Sequence, residues 1–167
     1  YIKCNAPKGL IGNKINFDKV SVGATENIVM AASLARGESE ITNIALEPEV
    51  MDLITCLNKM GAKIELGDNR NILIEGVDQL KGTVHSIIPD RIEAITYIIA
   101  GALIGKNLEI TNINIEHVSN VLEILNELSI NFAMKESSIT VEQSSISDGI
   151  TIDTMEYPGF PTCLLYT

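Results

Sequence analysis

The chain has 167 residues, a formal net charge of −10, and 46% hydrophobic against 20% charged residues. That composition can bury a core and excludes a disordered or fibrous chain. The acidic balance repels nucleic-acid backbone and anionic membranes, so neither is expected as a partner; a small anion held by a local cluster of donors stays open, because the global field is screened.

The chain opens on Tyr1 without an initiator Met and without a charged-then-apolar leader, which reads as part of a longer protein. Gly12 to Phe17 reads as a strand, and Glu26 to Arg36 as a helix with Ile28, Val29, Ala31, Ala32 and Ala35 inward. The stretch Ile41-Thr42-Asn43-Ile44 is followed by Glu47-Pro48 and by Val50, Leu53, Ile54 and Leu57, the spacing of one helix face. Gly61 is placed to end that helix, and strands Lys63 to Leu66 and Ile72 to Ile74 flank a polar turn.

The series then begins again. Gly82 to Ile88 reads as a strand, and Asp90 to Ile104 as a helix with Ile92, Ile95, Ile99 and Ala102 inward and an Asp90/Glu93 capping pair. Its apolar run from Ile95 is about half the length that crosses a membrane, so a buried helix is expected. Ile110-Thr111-Asn112-Ile113 repeats the earlier tetrad, and Val118, Val121, Leu122 and Leu125 repeat the earlier helical spacing, with Ser129 where Gly61 stood. Strands Asn131 to Met134 and Ile139 to Val141 follow, and Gly149 to Asp153 resembles the start of a third copy.

The offset between Ile41 and Ile110 is 69 residues, too long for a solenoid repeat and suited to a βαβαββ unit. The expected class is therefore α/β (α+β): a first unit over 1–80, a second over 81–148 and a truncated third over 149–167, each burying an amphipathic helix pair on one side of a small sheet.

Chemistry is sought where the copies differ. Between the first strand and helix lies Lys19-Val20-Ser21-Val22-Gly23-Ala24-Thr25. A helix N-terminus presents free N–H groups and a positive dipole end, and glycine admits a ligand close to the backbone, so a lysine there makes an anion site. The other reading is Ser21 as a plain helix cap beside a solvated Lys19. Pro89 to Glu93 occupies the same place in the second copy and reads as a capping box with a surface ion pair. Glu47-Pro48-Glu49 reads as a helix opening. Cys4, Cys56 and Cys163 show neither a disulfide framework nor a metal-ligand spacing, so a reducing cytoplasm is expected, with Cys56 a core or boundary thiol. His85 and His117 lack neighbouring ligands, so ordinary structural roles and no metal are expected.

Taken together, Lys19 to Thr25, Glu47 to Val50, Met60 to Ile64, Ile88 to Glu93 and Tyr157 to Thr162 resemble the enolpyruvyl transferases, specifically the UDP-N-acetylglucosamine 1-carboxyvinyltransferases of peptidoglycan synthesis. The likeness runs in order from Tyr1 to Thr162. The shikimate-pathway enolpyruvyl transferases share the architecture, but Lys19 to Val22 and Tyr157 to Thr162 argue for the amino-sugar enzymes. The resemblance implies domains of three βαβαββ units each, an inside-out α/β barrel of which this chain carries an incomplete part. It implies UDP-N-acetylglucosamine and phosphoenolpyruvate as substrates of the whole enzyme, with no cofactor and no metal. It places Lys19, Val20, Ser21, Val22, Gly23 and Thr162 against the UDP-sugar. Where the family has an acid/base aspartate this chain has Cys163, whose thiol has a much higher ordinary pKa, so no catalytic role is carried over. The family's reactive cysteine and phosphoenolpyruvate lysine would precede Tyr1 and its later arginines would follow Thr167, so the isolated chain is expected to be inactive. An exposed third unit makes self-association, or a non-catalytic module binding a partner chain, the alternative expectation.

Overall fold

In the computed structural model the described residues are Lys3, 5–144 and 149–160. The chain divides into two compact units, Tyr1–Ile87 and Ile88–Thr167.

The first unit runs β1 (Lys14–Asn16), α1 (Val22–Ala32), β2 (Glu38–Thr42), α2 (Pro48–Lys59), β3 (Lys63–Leu66) and β4 (Asn71–Glu75). These strands form one sheet in the order β1-β2-β4-β3, with β1 and β2 parallel and the other pairs antiparallel. The register aligns Ile15, Ile41, Ile72 and Leu66 in one row and Ser39, Ile74 and Ile64 in the next. Because side chains alternate along a strand, these rows share a face. Val29 and Ala32 of α1 and Val50, Ile54 and Leu57 of α2 pack on that face to make the core. Glu38, Glu40, Glu65, Leu73 and Glu75 point the other way, where Lys14 meets Glu40 at 2.7 Å and Lys63 meets Glu75 at 2.6 Å. On the outer edge, the Asn58 side chain of α2 takes both backbone groups of Ile64, donating to its carbonyl and accepting from its N–H, each at 3.0 Å.

In the second unit, α3 (Arg91–Ile104), β5 (Leu108–Thr111), α4 (Ser119–Glu127), β6 (Phe132–Lys135) and β7 (Ser138–Val141) repeat the pattern, with the sheet order β5-β7-β6. Ala94, Ile95, Ile98 and Ala102 of α3 and Val121, Leu122 and Leu125 of α4 cover Ile139 and Val141.

The repeat read from the sequence is present in backbone detail. Asn43 and Asn112 both adopt left-handed conformations, φ 60° and 56°, which asparagine tolerates better than most residues. Each is followed by a buried isoleucine whose N–H donates to the carbonyl just before the last strand: Ile44 to Arg70 and Ile113 to Ser137, both at 3.1 Å. Both α2 and α4 end in the same left-handed cap. Gly61 (φ 98°) and Ser129 (φ 57°) donate to Asn58 and Asn126, and the next residues, Ala62 and Ile130, donate to Leu57 and Leu125; these paired bonds satisfy carbonyls that a helix end leaves open.

Several expectations are corrected. Helix α1 starts a turn early, at Val22, because Ser21 caps it, and ends at Ala32, because the chain turns back for Arg36 to exchange backbone bonds with Leu10 and Gly12. The helix expected after Ile113 is broken: a 3₁₀ turn, Ile115–Val118, capped by the Asn114 side chain, precedes α4. No strand forms over 82–88. An alternating pattern makes a strand only where a ladder is completed, and here His85 is bonded instead to Asp52 (2.9 Å) and Lys59 (3.3 Å) on α2 while Val84 stands 96% exposed. Residues 149–153 likewise form no strand. Arg91 is buried, not at the surface, with its guanidinium 5.6 Å from the centre of the Tyr157 ring.

Replacing Ser129 by glycine relieves a left-handed serine, and Gly61→Ala imposes the same strain on α2. The first should stabilise the second unit and the second destabilise the first unit, each by about 1 kcal/mol, read as opposite shifts of urea midpoint at constant slope. A second test concerns Glu109, which a hydrogen bond from Lys135 and then that ammonium's charge hold below the ordinary carboxylate range. A carboxyl whose folded pKa is lowered adds stability above its unfolded value and loses it as pH falls through the folded one. Lys135→Met should raise the Glu109 titration midpoint toward that of free glutamate in an NMR pH series; an unmoved midpoint means the pair is absent in solution.

Candidate functional site

The Lys19–Gly23 stretch lies between β1 and α1, at the end where the parallel strands β1 and β2 stop and both helices of the first unit begin. In open α/β sheets this carboxyl end is where ligands gather. Ser21 has extended backbone (φ −148°, ψ 121°), and its Oγ accepts from the Ala24 N–H at 3.3 Å. The Thr25 N–H donates to the Ser21 carbonyl at 3.0 Å. Among the described residues the Val22 and Gly23 N–H groups have no protein acceptor. These two donors stand at the positive end of an 11-residue helix, with exposed Lys19, and exposed Asp18 beside it, just before them in the chain. Val20 and Val22 are half-buried and pack against the first core, which fixes the turn from below.

Gly23 is informative because packing does not require it. A Cβ there would meet nothing within 4 Å, and its φ is not positive. Glycine in a first helical turn costs helix stability, so an open space beside it suits close approach of a ligand to the backbone.

The site rests on Thr25, which the sequence did not single out. Fully buried, its Oγ1–H donates to the Ser21 carbonyl at 2.8 Å and its oxygen accepts from the Ala45 N–H at 3.0 Å. One hydroxyl thus ties the start of α1 to the loop before α2. A polar β-branched residue at the fourth helical position was the only sign of it.

The repeat-equivalent place in the second unit has the opposite polarity. Asp90 stands where Ser21 does and caps α3 through Oδ1, accepting from Ile92 (2.8 Å) and Glu93 (3.1 Å). With Glu93, Tyr97, Thr111 and Asn112 it lines an open cleft of about 280 Å³. Two carboxylates stand at this slot, where the first unit has Ser21 with Lys19 near it in the chain.

Other residues weighed from the sequence fall as follows. Thr162 and Cys163 lie outside the described residues, as does Cys4. Cys56 is a half-buried free thiol on α2. His85 is held by Asp52 and Lys59, and His117 Nε2 lies 3.0 Å from the Asn114 amide. Glu47 is the N-cap residue that opens α2, but its side chain makes no cap bond, it is only 4% exposed, and among the described residues its buried Oε2 has no hydrogen-bond partner. Among the described residues no group of three or more His, Cys, Asp or Glu side chains could hold a metal, and no helix is long and apolar enough to cross a membrane.

Comparisons with known proteins identify the family. The chain is 47% identical over 164 residues to the UDP-N-acetylglucosamine 1-carboxyvinyltransferase of Pelagibacter ubique, covering 98% of this chain and 39% of that protein. A protein of the same name from Streptococcus pneumoniae is 46% identical over 93% of this chain and 37% of its own length. The chain thus spans about two fifths of the length of the curated relatives it matches. Among solved structures, the enolpyruvyl transferase NikO from Streptomyces tendae shares the fold at a TM-score of 0.77 and 21% identity, over 94% of this chain and 40% of that one. The EPSP synthase of Acinetobacter baumannii gives 0.57 at 20% identity, over 81% and 32%. Residues 2–167 match the family model of EPSP synthase (3-phosphoshikimate 1-carboxyvinyltransferase), and the chain belongs to that family of enolpyruvyl transferases.

Proposed function

We propose that this chain supplies part of the sugar-nucleotide site of an enzyme that transfers an enolpyruvyl group from phosphoenolpyruvate to the 3-hydroxyl of UDP-N-acetylglucosamine. The observation that carries the proposal is the Lys19–Gly23 turn: two backbone donors without acceptors among the described residues, a helix dipole, an exposed lysine and open space over Gly23. The names of the relatives at 43–47% identity support the amino-sugar acceptor; the solved EPSP synthase, at 20%, supports only the fold.

In this reading Lys19 and the Val22 and Gly23 N–H groups neutralise the diphosphate, while Ser21 orders the helix start through its cap. Val20 and Val22 form the apolar support. Thr162 is the further sugar-side contact assigned by family resemblance, and no residue of this chain is assigned the acid/base role. Binding is thus the part of the reaction proposed for the first unit, with proton transfer and phosphoenolpyruvate capture proposed for the rest of the enzyme. Such an enzyme works on soluble nucleotide precursors, which places it in the cytoplasm.

Two substitutions test this. Lys19→Ala removes one charge from the patch and should weaken binding of UDP-N-acetylglucosamine by roughly tenfold, the scale of one charge-assisted hydrogen bond; unchanged affinity in a ligand-observed NMR titration would remove lysine from the site. Gly23→Ala separates a ligand site from a plain helix cap. It should raise stability by up to about 1 kcal/mol through helix propensity, yet weaken UDP-sugar binding, because the added methyl stands where the ligand approaches. Gain of stability with full binding retained would favour the plain cap.

A further inference from the structure

We infer that Glu47 is a specificity-determining contact for the sugar portion of the bound nucleotide, accepting a hydrogen bond from a sugar hydroxyl or amide N–H. This rests on the sugar-nucleotide reading of the Lys19–Gly23 turn and extends it to a residue to which no role in binding is given by resemblance or packing.

The first ground is an unmet bonding requirement. Glu47 is 4% exposed, Oε2 is buried, and no described residue donates to it. A buried carboxylate oxygen without a donor is costly, and such atoms call for a specific partner. The side chain does not serve the helix either, since it makes no cap bond to α2; the Val50 and Met51 N–H groups donate to the backbone carbonyl of Glu47 instead. Its chain neighbours Ile44, Ala45 and Val50 are all fully buried, and the Arg70 guanidinium donates to the Ile44 carbonyl at 3.0 Å. In that setting a hydrogen bond to the carboxylate is stronger than one in water.

The second ground is position. β1 and β2 are parallel and each is followed by its helix, so α1 and α2 begin at the same end of the sheet. The Thr25 hydroxyl links the Ser21 carbonyl to the Ala45 N–H through bonds of 2.8 and 3.0 Å. Glu47 is two residues beyond Ala45, so its backbone lies within roughly 10 Å of the cap of α1 by chain reach. A sugar joined to a diphosphate spans that gap. The chemistry is complementary, because the α1 patch offers donors and suits the anion, whereas a carboxylate repels phosphate and accepts from a hydroxyl or amide N–H.

The test compares UDP-N-acetylglucosamine with UDP, which has the diphosphate and lacks the sugar, on the wild-type chain, Glu47→Gln and Lys19→Ala. Glutamine keeps the shape and loses the charge. The expected result is that Glu47→Gln weakens UDP-N-acetylglucosamine by about five- to tenfold and leaves UDP unchanged, while Lys19→Ala weakens both. If Glu47→Gln binds the sugar nucleotide as tightly as wild type while Lys19→Ala weakens both ligands, the Glu47 inference fails and the site reading stands. Equal loss of both ligands in Glu47→Gln also overturns it, since a general structural effect would account for that. If neither ligand binds, or Lys19→Ala alters neither, both readings fail together. Thermal melting and retained UDP affinity report the fold of each variant, and Glu47→Asp takes the place of Glu47→Gln should the latter not fold.

Discussion

Each unit depends on one bond made twice: the N–H of a buried isoleucine, Ile44 or Ile113, given to the carbonyl before the last strand. Without it, the chain leaving β2 or β5 would carry an unpaired donor into the core, at a cost of about 1–3 kcal/mol. The bond is possible because the preceding asparagine adopts a left-handed turn, which drops the isoleucine between sheet and helices. The first unit has a further tie, as Asn43 donates through its side chain to the Phe17 carbonyl at 2.8 Å. That tie joins the turn after β2 to the segment that leads into Lys19, so the geometry of the candidate site is set by the same asparagine.

Much of this organisation was legible in the sequence because it follows from periodicity. The spacing of Val50, Leu53, Ile54 and Leu57, matched by Val118, Val121, Leu122 and Leu125, announced two equivalent helices, and the tetrads announced two equivalent turns. What the sequence did not reveal depends on partners distant in the chain. The alternation from Gly82 to Ile88 satisfied the local rule for a strand, but His85 found Asp52 and Lys59 on a helix. Glu47 opens α2 as its place before Pro48 suggested; its burial is set by packing that local spacing does not encode. Thr25 escaped notice because a hydroxyl's two bonds, one to the preceding turn and one to a loop 20 residues away, leave no pattern in one dimension.

The duplication also shows how the same helix start can carry different side chains without new architecture. Ser21 and Asp90 perform the same capping task at equivalent positions, and both keep their helices in place. Around them, Gly23 and Ala24 in one unit correspond to Ile92 and Glu93 in the other. The exchange keeps the fold although Val22 and Ile92 pack on their cores and Arg91 is buried, because the cap bonds of Ser21 and Asp90 are retained. The helix start of the first unit has Lys19 near it in the chain, and that of the second has Asp90 and Glu93.

The amide of Asn58 has a consequence at the rim of the first sheet. By occupying both the N–H and the carbonyl of Ile64, it acts as a single residue of an additional strand fixed to α2. An exposed strand edge is a template on which other chains can extend a sheet, and here the rung that would seat such a visitor is already filled. Pairing of another strand at Ile64 of β3 is therefore obstructed by a side chain carried within the same unit.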